Sequence, residues 1–163
     1  MQHTTRGETQ LMTSKDRVLN RERARGRAAA LALAAKASEM DGTQLIEAEA
    51  DIPTWSEDAV YTSAHIGFPV QDGGQVFTIL QPHTPAHNPG VRPAELPAIY
   101  SIKHTKDAKK AKPYLAPNGT SGLYFMDEYC TKDGKTWRSL VDNNSWTPGE
   151  IGTESLWEVY SVV

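Results

Sequence analysis

The 163-residue sequence contains one cysteine, no long apolar run and no strong excess of charge of either sign. The single thiol of Cys130 excludes an internal disulfide and the usual zinc sites that need several thiolates. No stretch approaches the roughly 18 apolar residues that a membrane span requires, and no apolar N-terminal core resembles a signal peptide. A formal net charge of -3 gives no general affinity for polyanions. We therefore expect a protein that folds in the cytoplasm, crosses no membrane and is held by packing or assembly.

Residues 13–50 have the composition of a helical arm. Thr13 followed by Asp16 is a helix-start pattern, because the hydroxyl can cap free amides and the carboxylate lies near the positive end of the helix. The strong helix formers that follow predict a helix to about Glu39. Thr43 can then cap a second short helix.

Charge is distributed unevenly along this arm. Positions 15–36 carry seven basic and two acidic residues, whereas positions 39–58 carry seven acidic residues and no basic one. This order is the reverse of what a helix dipole favours, so an isolated helix gains nothing from it. The Ala-rich stretch at 28–37 permits close approach of another helix, and a helix of this length is not stable alone in water. We expect the arm to dock on partner proteins or to form a homo-oligomer such as a trimer.

The arginines of the arm allow a third interpretation. Arg17, Arg21 and Arg25 share one helical face at four-residue spacing and could contact phosphates. A solvated face, or pairing with the acidic segment of a neighbouring subunit, explains the same spacing. Nucleic acid is therefore not the partner that we expect.

From Asp51 onward the sequence changes to glycine, proline, aromatic residues and short alternating runs, which are typical of strands joined by turns. An internal repeat is visible here. Each copy has an Asp-Gly hairpin signal between two short apolar stretches, at Asp72 and at Asp133. The aligned segments are Val60-Tyr61 with Leu123-Tyr124, Val70 with Cys130, Phe77 with Trp137, and residues 99–102 with residues 159–162.

These patterns predict a segregated α+β fold. An N-terminal helical arm is followed by two small all-β modules built from short antiparallel strands. The predicted segments are a flexible N-terminus at 1–12, the arm at 13–50, module one at 51–102, a basic linker at 103–121 and module two at 122–163.

The repeat unit resembles the chitin-binding carbohydrate-binding modules of family 5/12, which are often attached to chitinases and cellulases. The shared pattern is an aromatic residue, a valine, a Gly-containing turn, a second aromatic residue, a Pro-containing loop and a closing tryptophan. The second copy has Tyr124, Cys130, Asp133-Gly134, Trp137, Pro148 and Trp157 at these places, and the first has Tyr61, Val70, Asp72-Gly73-Gly74, Phe77 and Ile99. The adjacent aromatics of the family's sugar platform are replaced by Val141-Asp142 and by Gln81-Pro82.

The wider layout, a leading Ala/Arg-rich helix ahead of two tandem modules, resembles phage or prophage tail proteins that touch the bacterial surface. The resemblance implies a non-catalytic virion protein, made in the host cytoplasm, whose modules contact host cell-surface polysaccharide. Its helix would bind other tail or capsid proteins of the virion. The alternative is a purely structural virion component, such as a capsid decoration or tail protein, that binds no glycan.

Aromatic rings bind sugars because their flat apolar faces cover the C–H faces of a pyranose, while nearby polar groups pair with its hydroxyls. Trp146 is the leading candidate because its loop, DNNSWTPG, is rich in amides and hydroxyls. The alternative is that Trp146 packs on Pro148 and stiffens the loop. The candidate carbohydrate-binding residues are Trp146, Asn143, Asn144, Tyr124, Tyr129 and His83. The aromatic residues expected in the core are Phe77, Tyr100, Trp137, Trp157 and Tyr160.

No catalytic, metal or cofactor site is predicted. His83 and His87 are four residues apart, a spacing that suits a metal only on a helix, and the prolines around them forbid a helix. Four acidic residues could supply a glycosidase-like pair, but nothing in the sequence fixes their separation. They are Asp127, Glu128, Glu150 and Glu154. The sequence also has no P-loop, dinucleotide fingerprint or nucleophile elbow.

Overall fold

A computed structural model describes residues 13–162, and the segment 1–12 predicted to be flexible lies outside them. The fold is α+β: one long helix and one short helix are followed by two sheets. Among residues 13–162, no helix combines the length and the apolar character needed to cross a bilayer. The elements are α1 Ser14–Ala34, α2 Gly42–Glu47, β1 Pro69–Asp72, β2 Gln75–Ile79, β3 Tyr100–Lys103, β4 Lys112–Pro113, β5 Tyr129–Lys132, β6 Lys135–Ser139 and β7 Trp157–Val159.

Helix α1 begins where the sequence predicts. The Asp16 amide donates to the Thr13 hydroxyl at 3.1 Å, and the Thr13 amide donates to the Asp16 carboxylate at 3.0 Å. The helix ends at Ala34, five residues before the predicted Glu39. The chain turns there because Leu33 and the residues after the turn are buried together.

Helix α2 is capped by Asp41 and not, as predicted, by Thr43. The Asp41 carboxylate accepts from the Gln44 amide, and the Gln44 side chain accepts from the Asp41 amide, both at 2.9 Å. The Thr43 hydroxyl instead accepts from the Lys106 amide at 2.8 Å. It thereby ties α2 to the chain that leaves the first sheet.

The second half of the helical segment packs on the first sheet. Val76 of β2 is fully buried in one cluster with the apolar residues of this segment, which are Leu33, Ala37, Leu45, Ile46 and Ile52. Residues 13–28 are all exposed. Only this first part of the predicted arm therefore lies away from the sheets.

The first sheet has the order β1-β2-β3 and the second the order β4-β5-β6-β7. All pairs are antiparallel except β4 with β5, which is parallel, so the prediction of antiparallel strands alone is wrong. Strand β4 comes from the predicted linker. It is fixed beside β5 because the amide of Tyr114 donates to the carbonyl of Thr131 at 2.8 Å. The first sheet has an equivalent hydrogen bond, in which the Trp55 amide donates to the Gln71 carbonyl at 2.9 Å.

The two sheets share one hairpin geometry. Val70 pairs with Phe77, and Cys130 pairs with Trp137, so the predicted match of these positions is confirmed. Both hairpins have a two-residue loop with positive φ at both positions, the geometry of a type I′ turn. The loops are Gly73-Gly74, with φ of 56° and 77°, and Asp133-Gly134, with φ of 53° and 71°.

The predicted alignment of the closing strands is wrong by three residues. Tyr100 pairs with Ile79 and Trp157 pairs with Ser139, so Tyr100 corresponds to Trp157 and not to Tyr160. Burial explains this register, because the Trp157 ring completes the second core whereas Tyr160 is 38% exposed. The sequence-based placement of Tyr160 in the core is therefore also wrong.

Each sheet covers its own aromatic core. Phe77, Tyr100 and Trp157 are buried as predicted, and Trp137 is partly buried against the second core. Trp55 lies in the first core, where its indole N–H donates to the Tyr100 hydroxyl at 2.9 Å.

Candidate functional site

Trp146 is the exposed aromatic residue of the loop that joins β6 to β7. The residue is 60% exposed, so its ring is largely accessible to solvent. Its backbone, in contrast, is held from both sides. The Trp146 amide donates to Asn144 Oδ1 at 3.2 Å, and the Trp157 indole N–H donates to the Trp146 carbonyl at 2.8 Å. The loop therefore presents a large flat ring to solvent from a fixed backbone.

Asn144 has a structural role and is not a ligand-binding residue. Its side chain holds the Trp146 loop in place by hydrogen bonds, and we call a residue in this position a bracket. It is 1% exposed. Its amide nitrogen donates to Ser139 Oγ and to the Leu156 carbonyl, both at 3.0 Å. All of its hydrogen-bonding capacity is directed into the protein, so the prediction that it contacts a sugar is wrong.

Tyr124 is also removed from the candidate set. Its ring is 1% exposed and lies between the imidazole of His104 and the ring of Tyr114, with centroid distances of 3.7 and 5.7 Å. Its hydroxyl accepts from the Leu115 amide at 3.3 Å, and burial raises its pKa. A ring enclosed in this way offers no face to a pyranose.

Asn143, Tyr129 and His83 lie in three different surroundings. Asn143 is exposed beside Trp146 in the same loop. Tyr129 is partly buried and meets Tyr160 edge to face at 5.3 Å. His83 lies beside the first sheet, bridged to Tyr61. Of the six predicted residues, Trp146 and Asn143 are the two that are exposed in the same loop.

His83 occupies in the first sheet the place that Asn144 has in the second. Each forms an isolated antiparallel bridge, His83 with Tyr61 and Asn144 with Tyr124. His83 Nδ1 lies 2.7 Å from the Tyr100 hydroxyl, while its Nε2 is buried with no partner among the described residues. Burial lowers the pKa of this imidazole. Pro85, two residues after His83, is the position equivalent to Trp146. Pro85 is buried, so the first sheet has no exposed aromatic ring at this position.

Phe125 and Met126 are exposed residues that the sequence analysis missed. Both side chains are 47% exposed, in the turn after Tyr124. The bridge between Tyr124 and Asn144 places this turn beside the Trp146 loop, and the Met126 amide donates to the Asp142 carboxylate at 2.9 Å. The sequence carried no signal for them, because the burial of Tyr124, which leaves Phe125 facing outward, was itself not predicted.

Two of the four carboxylates considered for catalysis, Asp127 and Glu128, have structural contacts. Asp127 accepts from Arg138, with Nε 2.8 Å from Oδ1, and Arg138 also pairs with Glu158 at 2.8 Å. Glu128 accepts from the Phe125 amide at 2.8 Å. Because Asp127 is neutralised by the guanidinium, it does not provide a free partner for Glu128 in a glycosidase-like pair.

The chain matches no protein-family model and no curated protein. The family resemblance of the repeat therefore stays a prediction, and the site is judged on its geometry. That geometry is an exposed tryptophan on a fixed loop with polar side chains at Asn143 and Ser145, both exposed. It can stack on an apolar face and exchange hydrogen bonds, which are the two contacts that a sugar requires.

Proposed function

We propose that this protein binds saccharide without catalysis, through the Trp146 loop of the second sheet. The observation that carries the proposal is the contrast between an exposed indole and a backbone fixed by Asn144 and Trp157. A hydrophobic ring of this size is normally buried, and holding it in solvent on a rigid loop suits a partner with a flat apolar face. Because the loop is already ordered, little conformational entropy is lost on binding.

The two sheets are, on this proposal, two copies of one small β-module. Their hairpins share register and turn type, and their brackets at His83 and Asn144 occupy equivalent places. The copies differ where the ligand would bind, since Pro85 is buried and Trp146 is exposed. Module two then carries the binding function, and module one supports it through the stack of His104 on Tyr124.

Helix α1 would attach the protein to its assembly. Residues 13–28 are all exposed, and a helix with few tertiary contacts is only marginally stable in water. Its basic surplus fits an acidic surface, such as the acidic segment 39–58 of another copy or another virion protein. This supports an attachment role in a tail-located virion protein, in line with the layout that the sequence resembles. Light scattering on the full chain and on a variant lacking residues 1–28 tests whether the helix mediates self-association.

Retention on insoluble polysaccharide tests the saccharide proposal. The probes are chitin, suggested by the family resemblance, and purified bacterial cell-wall sacculi. We expect retention on at least one of them, weakened about tenfold in Trp146→Ala, since stacking and burial of one ring stabilise a complex by about 1 to 2 kcal/mol. Tyr160→Ala is the matched control, because it removes an exposed ring outside the loop. Equal retention of both variants would contradict a role for Trp146.

The alternative, a purely structural virion component, is favoured by one observation. Tyr124 and Asn144, two of the residues expected to bind sugar, are buried, and Tyr124 forms the second core together with Trp157. Absence of retention on both polysaccharides, with the fold intact by circular dichroism, would support this alternative over glycan binding.

A further inference from the structure

We propose a second ligand site, for a sugar residue that carries one carboxylate, in the cleft where the end of β3 meets the chain entering the second sheet. The proposal rests on saccharide binding as the function but uses residues outside the Trp146 loop. The cleft has a volume of about 290 Å³ and a mainly polar lining. Its lining includes Ser101, Lys103, Thr120, Ser121, Phe125 and Glu128.

Strand alternation places Lys103 at this cleft. Tyr100 and Ile102 pack in the first core, so the side chains of Ser101 and Lys103 leave the opposite face of β3. Val76, the cross-strand partner of Lys103, lies on that same face and packs against the helical segment. The helical segment thus covers one side of the cleft, where Gly42 of α2 contributes to its wall.

Lys103 is the cation that the fold leaves without a partner in this cleft. It is partly buried, yet no carboxylate of residues 13–162 forms an ion pair with it. The two other partly buried lysines near this sheet junction are paired, Lys112 with Glu49 and Lys132 with Asp133. Burial lowers the pKa of the Lys103 ammonium, and the Glu128 carboxylate in the same lining offsets this lowering only in part. A ligand carboxylate would supply the missing charge and a charge-assisted hydrogen bond.

The rest of the lining selects for a sugar rather than a simple anion. Ser101, Thr120 and Ser121 provide hydroxyls that can both donate and accept, as sugar hydroxyls do. Phe125 adds a ring that is 47% exposed at the edge of the cleft. Glu128 lies in the same lining, and its carboxylate can accept from sugar hydroxyls. The cleft volume is at the small end for ligand sites and fits one sugar unit.

The floor of the cleft is already ordered. His104 Nε2 lies 2.9 Å from the Gly122 carbonyl, and the His104 ring stacks on Tyr124. The Gly122 Cα approaches Ile102 so closely that an added Cβ would lie 3.0 Å from its side chain. Binding in such a preformed site requires little rearrangement.

A titration of the ¹⁵N-labelled full chain with glucuronate, followed by amide chemical shifts, tests the proposal. Glucose is the neutral match for glucuronate. We expect saturable shifts at Lys103, Ser121 and Gly122 with glucuronate and none of these with glucose. Lys103→Gln should weaken glucuronate binding about tenfold, the size expected for loss of one charge-assisted hydrogen bond. Lys110→Gln, an exposed lysine outside the cleft, is the control, and Ser121→Ala is a second variant in the cleft that keeps the charge.

The outcomes separate this site from the Trp146 loop. Glucuronate shifts that persist in Trp146→Ala and are weakened in Lys103→Gln support two independent sites. No saturable shift, equal shifts with glucose, or equal binding by Lys103→Gln and Lys110→Gln would overturn the cleft site. Trp146-dependent retention on polysaccharide would then still support the proposed function, so failure of one proposal is distinguishable from failure of the other.

Discussion

The imidazole of His104 lies flat against the phenol ring of Tyr124, with ring centroids 3.7 Å apart and planes inclined by 15°. His104 directly follows β3 of the first sheet, whereas Tyr124 is a core residue of the second. The stack therefore joins the two halves of the molecule. Burial favours the neutral imidazole and lowers the pKa of His104 to about 4.

This stack predicts that the protein loses stability in mild acid. The pKa of His104 is about 4 in the folded chain against 6.5 in the unfolded chain. The stabilisation is therefore fully present above pH 6.5 and is lost as the pH falls towards 4. We expect the free energy of unfolding to fall by about 2 to 3 kcal/mol between pH 7.5 and 4.5. Urea denaturation at the two pH values measures it.

The variant His104→Gln isolates this effect. His83 adds to the acid sensitivity because its pKa is also lowered by burial, while Glu128 acts in the opposite direction because burial raises its pKa. Both contributions remain in the variant. The difference in pH dependence between the wild type and His104→Gln therefore belongs to His104, and identical pH profiles would contradict the prediction.

The close approach of α2 to His104 predicts a second effect on stability. A Cβ added at Gly42 would overlap the His104 carbonyl oxygen, so Gly42→Ala must push the helix away from the segment that follows β3. We expect a loss of about 1 to 3 kcal/mol, the usual cost of overpacking. Gly26→Ala is the matched control, because no atom lies within 4 Å of its added Cβ. That change should stabilise α1 by up to about 1 kcal/mol.

Thermal and urea denaturation of both alanine variants measure the difference. Equal stability of Gly42→Ala and the wild type would show that α2 can move away from His104 at no cost. In that case the helical segment would be only loosely packed on the first sheet.

Local signals in the sequence predicted much of this fold. The Thr13 cap and the Asp133-Gly134 turn are fixed by neighbouring residues, so sequence reasoning located them. The first turn is Gly73-Gly74, one residue after the predicted Asp72-Gly73. The alignment of the closing strands β3 and β7 was wrong because the loops that precede them differ in length. Their register is set only by pairing with the preceding strand, at Ile79 in the first sheet and at Ser139 in the second. Strand β4 was missed because Lys112–Pro113 has no strand pattern and pairs only through a distant β5.

At Trp146 the polar loop indicated an exposed ring, and the ring is exposed. The prediction failed at Tyr124 and Asn144. Nothing in the sequence distinguishes an aromatic residue or an amide that contacts a ligand from one that is buried in the core. The cleft at Lys103 was not predictable either, because its lining comes from segments that only the folded chain brings together.

The bracket role of Asn144 predicts a loss of stability when its side chain is removed. Asn144→Ala leaves Ser139 Oγ, the Leu156 carbonyl and the Trp146 amide without their partner. We expect a loss of about 2 to 3 kcal/mol, because unsatisfied buried polar groups are costly. Asn143→Gly serves as the neighbouring control. Its φ of 53° is one that glycine adopts readily, so its stability should stay near that of the wild type.

Urea denaturation monitored by tryptophan fluorescence compares these two asparagine variants. If Asn144→Ala were as stable as Asn143→Gly, the Trp146 loop would not depend on the bracket, and the argument for a preordered ring would fail.

The correspondence of Cys130 with Val70 predicts that a valine can replace the thiol. Both side chains are buried at the same place of the hairpin, opposite Trp137 and Phe77. Cys130→Val should change the free energy of unfolding by less than about 1 kcal/mol, as for other apolar swaps of similar volume. Cys130→Ser should cost about 1 to 3 kcal/mol, because it places a hydroxyl in the same apolar core. A valine variant less stable than the serine variant would contradict the equivalence of the two hairpins.

Burial also determines the reactivity of this thiol. It raises the pKa of Cys130 to about 12, so very little thiolate exists at pH 8. Native protein should therefore react slowly with a thiol-specific reagent such as a disulfide dye, and the rate should rise sharply in urea as the second sheet opens. Because the chain has a single cysteine, the reaction reports on that sheet alone. Its midpoint in urea can be compared with the fluorescence midpoint of the whole chain. If the second sheet opened well before the first, the His104–Tyr124 stack would not couple the two halves, and the acid sensitivity expected of the whole protein would be confined to one of them.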